Sequence, residues 1–237
     1  FSLAGNRSRA WTGAFSANSA NWHPWADDFA GGASGSSFSY TQPMLSDLEF
    51  DSNGDMSIGI KDRTGDRVGM DAGNLTTSGT GSTNTYEGFN AGDLLRACAS
   101  GSTWVLESNG SCGAKTGYGV GNGQGPGGGE FYMDDYPLTG SASHPQAMLG
   151  TAEQIPGFTD LVASAYDPLS SVRVSGFRRV SNTNGGHVAG VDVTGDGRGD
   201  QTTCAKCQGT FGKADGLGDI EAMLADAPIE IGNRVWK

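Results

Sequence analysis

Met44–Phe50 (MLSDLEF) and Met56–Lys61 (MSIGIK) alternate apolar and polar residues with a period of two, around the turn formers Asp51-Ser-Asn-Gly-Asp55. Successive side chains of a strand point to opposite faces, so this period marks half-buried strands, and the Asn-Gly between them predicts a hairpin over 44–61. The alternation returns at Trp104–Glu107, at Val172–Val180 (VRVSGFRRV, carried through Gly176) and at His187–Val193. Helical periodicity is scarce. It occurs at Leu217–Ala227, apolar at 217, 220, 223 and 224 and ended by Pro228, and more weakly at Gly157–Ala165. The expected fold is all-β with one or two short helices.

Glycine supplies 40 of 237 residues, about twice its ordinary share. Hydrophobic residues still make up 36%, with five Trp and ten Phe, enough for a core. The glycines therefore point to many turns and long Gly/Ser-rich loops, with 73–84 and 119–129 expected at the surface. Strand pairs begin near Asp47, Asp93, Leu149 and His187, in steps of 46, 56 and 38 residues. These steps approach the length of a four-stranded propeller blade. The expectation is a β-propeller-like domain over 1–228 with an incomplete set of blades. Residues 229–237 (IEIGNRVWK) then begin a following strand or domain, or serve as an assembly strand; the chain is read as a processed or truncated piece of something longer.

A net charge of −11 and an isoelectric point near 4.5 argue against nucleic acid, since no basic surface tracks phosphates. An acidic surface favours solubility and attracts divalent cations. No run of about 18 apolar residues is long enough for a membrane-spanning helix. The four cysteines form local pairs. Cys98 and Cys112 flank a strand–turn–strand pattern in which a disulfide can reach across a hairpin. Cys204 and Cys207 form CAKC, where a local disulfide is favoured over zinc because no second pair or nearby His completes a tetrahedral set. Two such pairs indicate an oxidising compartment, secreted or at the cell surface. Asn6, Asn74 and Asn109 begin Asn-x-Ser/Thr glycosylation sequons.

No catalytic constellation stands out, and the chain is not expected to be an enzyme. His23, His144 and His187 lie in no HExxH, and no GxSxG is present. Asp27-Asp28 and Asp134-Asp135 are read as solvated acidic loops. Trp22, His23, Trp25, Phe131, Tyr132 and Tyr136 are read as packing residues ahead of a sugar-stacking surface. That surface is the basis of the competing class, a carbohydrate-binding or carbohydrate-active protein with glycan partners.

PMLSDLEFDSNGDMSIGIKDRTGD (43–66) and AGDLLRAC (91–98) resemble the propeller-like region of large bacterial surface proteins that precedes SdrD B-like repeats. FGKADGLGDIEAML (211–224), running into IEIGNRVWK, is similar to the approach and opening strand of such a repeat. The resemblance implies a secreted or cell-surface structural or interaction module without catalytic activity. Self-association into a fibre is a corollary if open sheet edges pair.

The segment VDVTGDGRGD (191–200) places Asp192, Thr194, Asp196 and Asp200 at positions 1, 3, 5 and 9 of a calcium loop, with Gly197 at position 6. Thr203 stands at position 12, where an EF-hand has Glu. The spacing resembles the loops of integrin-type FG-GAP blades. That resemblance implies Asp192, Asp196 and Asp200 as ligands, with Thr194 and the Arg198 carbonyl completing the shell around Ca²⁺. The competing readings are a metal-free Asp/Gly turn and an Arg198-Gly199-Asp200 adhesion signal, which would need Asp200 free. Asp51–Asp55 is read as a plain hairpin turn ahead of calcium, and Asp62, Arg63 and Asp66 as a structural ion-pair cluster.

Overall fold

The computed structural model describes residues 21–25, 33–34, 37–38, 40–64, 72–73, 85–88, 92–135, 146–169, 175–193 and 217–223. Its strands, in chain order, are β1 (Ala33–Ser34), β2 (Ser37–Phe38), β3 (Pro43–Phe50), β4 (Met56–Asp62), β5 (Ala72–Gly73) and β6 (Thr85–Gly88). There follow β7 (Asp93–Ser100), β8 (Thr103–Leu106), β9 (Ser111–Cys112), β10 (Lys115–Thr116), β11 (Met148–Gln154), β12 (Asp160–Tyr166), β13 (Ser175–Ser181) and β14 (His187–Asp192). The chain is all-β, and its two main sheets are antiparallel.

The first main sheet runs β3-β4-β7-β8 and the second β11-β12-β13-β14. The hairpin read from 44–61 is present, with Phe50 opposite Met56. The four strand pairs seen in the sequence are therefore not four blades. The first three are each half of a sheet, because β4 pairs onward to β7 and β12 onward to β13, while His187 opens β14, the last strand of the second sheet. A small β9–β10 hairpin and a sheet of short strands, β1-β2-β6-β5, complete the described pairing. The described strands form no closed propeller.

β11, an edge strand, lies across β3, β4 and β7, and its free edge is occupied. The Gly92 N–H donates to the Met148 carbonyl at 2.6 Å, and the Ser46 hydroxyl donates to the Gly150 carbonyl at 2.5 Å. The Asp47 carboxylate accepts from the Ala152 N–H at 2.8 Å, and Glu49 from the Gln154 N–H at 3.1 Å. This requirement inverts β3, whose acids face the seam while Leu45, Leu48 and Phe50 face outward and are exposed. Inward-pointing charges of this kind are one way to blunt a sheet edge.

The seam also depends on two glycines. A Cβ on Gly59 would lie 1.9 Å from the Gly150 carbonyl oxygen. Gly150 itself has φ +88°, and its Cβ would meet the Ile60–Lys61 peptide at 2.6 Å.

The main core lies between the sheets and includes Leu94, Phe131, Met148, Leu161 and Val180. On the other face of the first sheet, Ile58, Ile60, Leu95 and Ala97 pack with Trp22, Met56 and Leu106. With both faces covered, β7 is buried along most of its length.

Both helix expectations fail where they can be seen. Residues 157–165 enter β12, whose ladder bonds to β11 and β13 override the helical spacing, and 217–223 has no regular secondary structure. Among the described residues no helix is long and apolar enough to cross a membrane. Residues 229–237 lie outside the described residues, as does the 73–84 tract beyond Gly73.

A candidate metal centre of buried carboxylates

The site is organised by a segment that sequence reading placed at the surface. Residues 119–129 are only partly at the surface: Val120, Gly121, Gly123 and Gly127 are exposed, but Gly119, Gln124, Gly125 and Gly129 are buried, because the glycines allow the turns to lie flat on Ser108–Gly110 and Glu130. Gly119 and Glu130 form a β-bridge, the Tyr118 N–H donates to the Phe131 carbonyl, and the Met133 N–H donates to that of Gly185. The 130–134 stretch is thereby fixed between the two sheets.

Its aromatic residues are core residues, as expected: Phe131 and Tyr132 are buried and meet edge to face at 5.1 Å. Trp25 is exposed, with its indole N–H on the Pro43 carbonyl and the Arg63 guanidinium 4.8 Å from its ring centroid. His23 stacks on Tyr40 at 4.3 Å.

Around Tyr132 lies a buried polar network. Arg96, the fourth residue of β7, is 0% exposed. Its guanidinium donates to the Tyr132 hydroxyl at 2.8 Å, Asn182 Oδ1 at 2.9 Å, Asp51 at 2.5 Å and Asp55 at 2.9 Å. Lys115 reaches Asp55 at 2.7 Å. The Tyr132 hydroxyl also contacts Ser57 at 2.6 Å, and the Asn182 amide donates to Gln154. Burial alone would raise the Asp51 and Asp55 carboxyls, but the bonds from Arg96, Lys115 and backbone N–H groups outweigh it and hold both below their usual range. The 51–55 loop is thus a hairpin turn whose carboxylates serve cations of the chain itself. Asp62 accepts from the Gln42 and Thr64 N–H groups, and Arg63 donates to Gln42.

Beside this network, Asp93, Glu130 and Asp134 each offer a carboxylate oxygen within 4.8 Å of the others', and all three are buried. This corrects the reading of Asp134 as part of a solvated loop: it is 2% exposed, carried inward where the Ala147 N–H donates to its carbonyl. Asp135 is half-buried and accepts from the Gln124 amide at 3.0 Å. Glu130 accepts from Asn122 at 2.8 Å and Gln146 at 3.2 Å. Burial pushes the Glu130 and Asp134 carboxyls well upward, and neighbouring carboxylates add to it. Arg178, the fourth residue of β13 and 0% exposed, is the cation that acts on Asp134; it donates to the Asp135 and Asp167 carbonyls.

Glu107 adds a further acid. One oxygen accepts from the Arg96 N–H at 2.8 Å while the other is buried without a donor. Burial, reinforced by Asp93 and Asp134, pushes its carboxyl up to about 8 from an ordinary 4.5. The folded chain then keeps a proton that the unfolded chain has lost. With divalent metal chelated, this contribution to stability is full below pH 4.5 and is lost as the pH rises through about 8. Urea midpoints should fall from pH 5 to pH 8, and Glu107→Gln should flatten the decline; equal slopes in both proteins would remove Glu107 as its source.

Of the other residues singled out by sequence, Cys98 and Cys112 are disulfide-bonded, with Cα atoms 5.6 Å apart. Asn109 sits exposed on a turn with its Oδ1 accepting the Gly121 N–H. Asp192 is exposed at the end of β14, and His187 is half-buried at its start. Thr194, Asp196, Arg198, Asp200, Cys204, Cys207, Asn6, Asn74, Asp27, Asp28, Asp66, Tyr136 and His144 lie outside the described residues.

Fold and site define a class: an all-β protein of two antiparallel sheets joined by buried polar groups, with a carboxylate cluster at the junction. No family model and no solved structure matches the chain. It is similar to Colossin-A of Dictyostelium discoideum, 30% identical over 221 residues and 91% of this chain. It is also similar to Colossin-D of that organism, 33% identical over 191 residues and 77% of the chain, and to Colossin-B, 30% over 236 residues and 93%. The chain spans only 2%, 18% and 5% of the lengths of these relatives, respectively. No bacterial protein is among these three.

Proposed function

We propose that the chain is a structural or interaction module of a secreted or cell-surface protein. The observation that carries this reading is that its sequence aligns across most of its length with small portions of far longer chains. The Cys98–Cys112 disulfide supports an oxidising compartment. Each four-stranded meander has the strand order of a propeller blade, and the 191–200 loop is assigned Ca²⁺ on its spacing.

Surface labelling of intact source cells with an antibody to this chain tests the location. Signal only after permeabilisation would overturn it. A glycan array and a general glycoside-hydrolase screen separate the module from a lectin or enzyme. Turnover or saturable sugar binding would replace the structural reading.

A further inference from the structure

The carboxylates at the sheet junction present an electrostatic problem that the chain does not solve by itself. Asp93, Glu130 and Asp134 converge within 4.8 Å where water is excluded. Outside the cluster, where only the Glu130 carboxyl can share a proton with it, neither oxygen of Asp134 has a hydrogen-bond donor. A desolvated carboxylate without a donor is strongly unfavourable, and like charges this close do not ionise together. The surroundings nevertheless hold the cluster in place: Asn122 and Gln146 clamp Glu130, and the Ala147 N–H fixes the backbone of Asp134.

We propose that Asp93, Glu130 and Asp134 bind a hard divalent cation, Ca²⁺ or Mg²⁺, with Asp134 as the ligand that has no hydrogen-bond donor outside the cluster. The donor set is all oxygen, which selects such ions over those preferring nitrogen or sulfur. Oxygens on opposite sides of a calcium ion stand about 4.8 Å apart at bond lengths near 2.4 Å, so the cluster's span admits a shared ion. None of its ligands belongs to the 191–200 segment; they come from β7 and from the 130–134 segment. A cation there would tie the first sheet to the connector that leads into the second.

The experiment uses the Asp196→Ala chain, so that the loop cannot answer, stripped with EDTA and returned to Ca²⁺ or Mg²⁺ in separate arms. At a hundredfold excess over Kd the melting temperature should rise by about 5 °C or more. The arm that responds at lower concentration names the ion. Asp134→Asn in the same background should lose the response while melting no lower than the metal-free parent, because the amide removes a buried charge. Should that variant not fold, terbium luminescence on the parent chain serves in its place, with emission displaced by the responding cation. A melting curve indifferent to both cations, a response retained in Asp134→Asn, or terbium emission that neither cation displaces would overturn the proposal.

Discussion

Arg96→Ala is expected to lower folding stability by about 3–5 kcal/mol, the usual consequence of removing one partner from a buried ion pair. The guanidinium is 0% exposed and bridges Asp51, Asp55, Tyr132 and Asn182. Without it the two carboxylates keep only Lys115 as a cation in this network. The loss extends beyond one sheet, since Asp51 and Asp55 belong to the β3–β4 turn while Asn182 follows β13. Urea unfolding measures the effect through the midpoint at constant slope. Arg96→Lys should recover part of it, because an ammonium restores charge without the planar fork that reaches both sides. A change below about 1 kcal/mol for Arg96→Ala would mean that water replaces the guanidinium, and the network would not hold the sheets together.

Removing the disulfide should be the next largest effect. Cys98 and Cys112 are 14 residues apart, and closing a loop of that size is worth about 3 kcal/mol in the chain-entropy model. For a domain of this size that corresponds to a melting temperature lower by about 6–12 °C. The Cys98→Ala, Cys112→Ala double variant and the reduced parent should melt together, well below the oxidised parent. The bridge fastens the β9–β10 hairpin to β7, and Lys115 of that hairpin contacts Asp55. The variant should therefore also be more sensitive to acid near the Asp55 carboxyl. Identical melting of oxidised and reduced chains would leave the bridge without a stabilising role.

The strands whose apolar and polar residues alternate were legible in the sequence: β4, β8, β13 and β14 lie where period two placed them, although β4 is covered on both faces. β3 was placed correctly but with its faces reversed, since the rule that apolar residues face inward has no term for capping a neighbouring edge. β12 was misread because Leu161, Val162 and Ala165 also fit a helical stripe, and only its two partner strands decide between the readings.

The carboxylate cluster was the least legible part. Asp134 looks like any loop aspartate until the bridge between Gly119 and Glu130 turns the 130–134 segment inward, and Asp93 arrives from a strand far earlier in the chain. Arg96 carried one weak signal, a lone cation within the otherwise apolar Leu94–Cys98 run. Glycine density in 119–129 was read as looseness, whereas there it permits close backbone packing.

The seam between the sheets has a consequence for synthesis. Asp47 meets Ala152 and Glu49 meets Gln154 across 105 residues each, while each sheet is built largely from neighbouring hairpins. A chain made from its N-terminus can therefore form the first sheet well before β11 exists, and loop-closure entropy is concentrated in the later docking step. During that interval the face awaiting its partner displays two acids where an apolar strand would display adhesive side chains. Charges flanking a hydrophobic strand act as gatekeepers against pairing with a stranger. The residues that finally receive the second sheet thus guard the first while it waits.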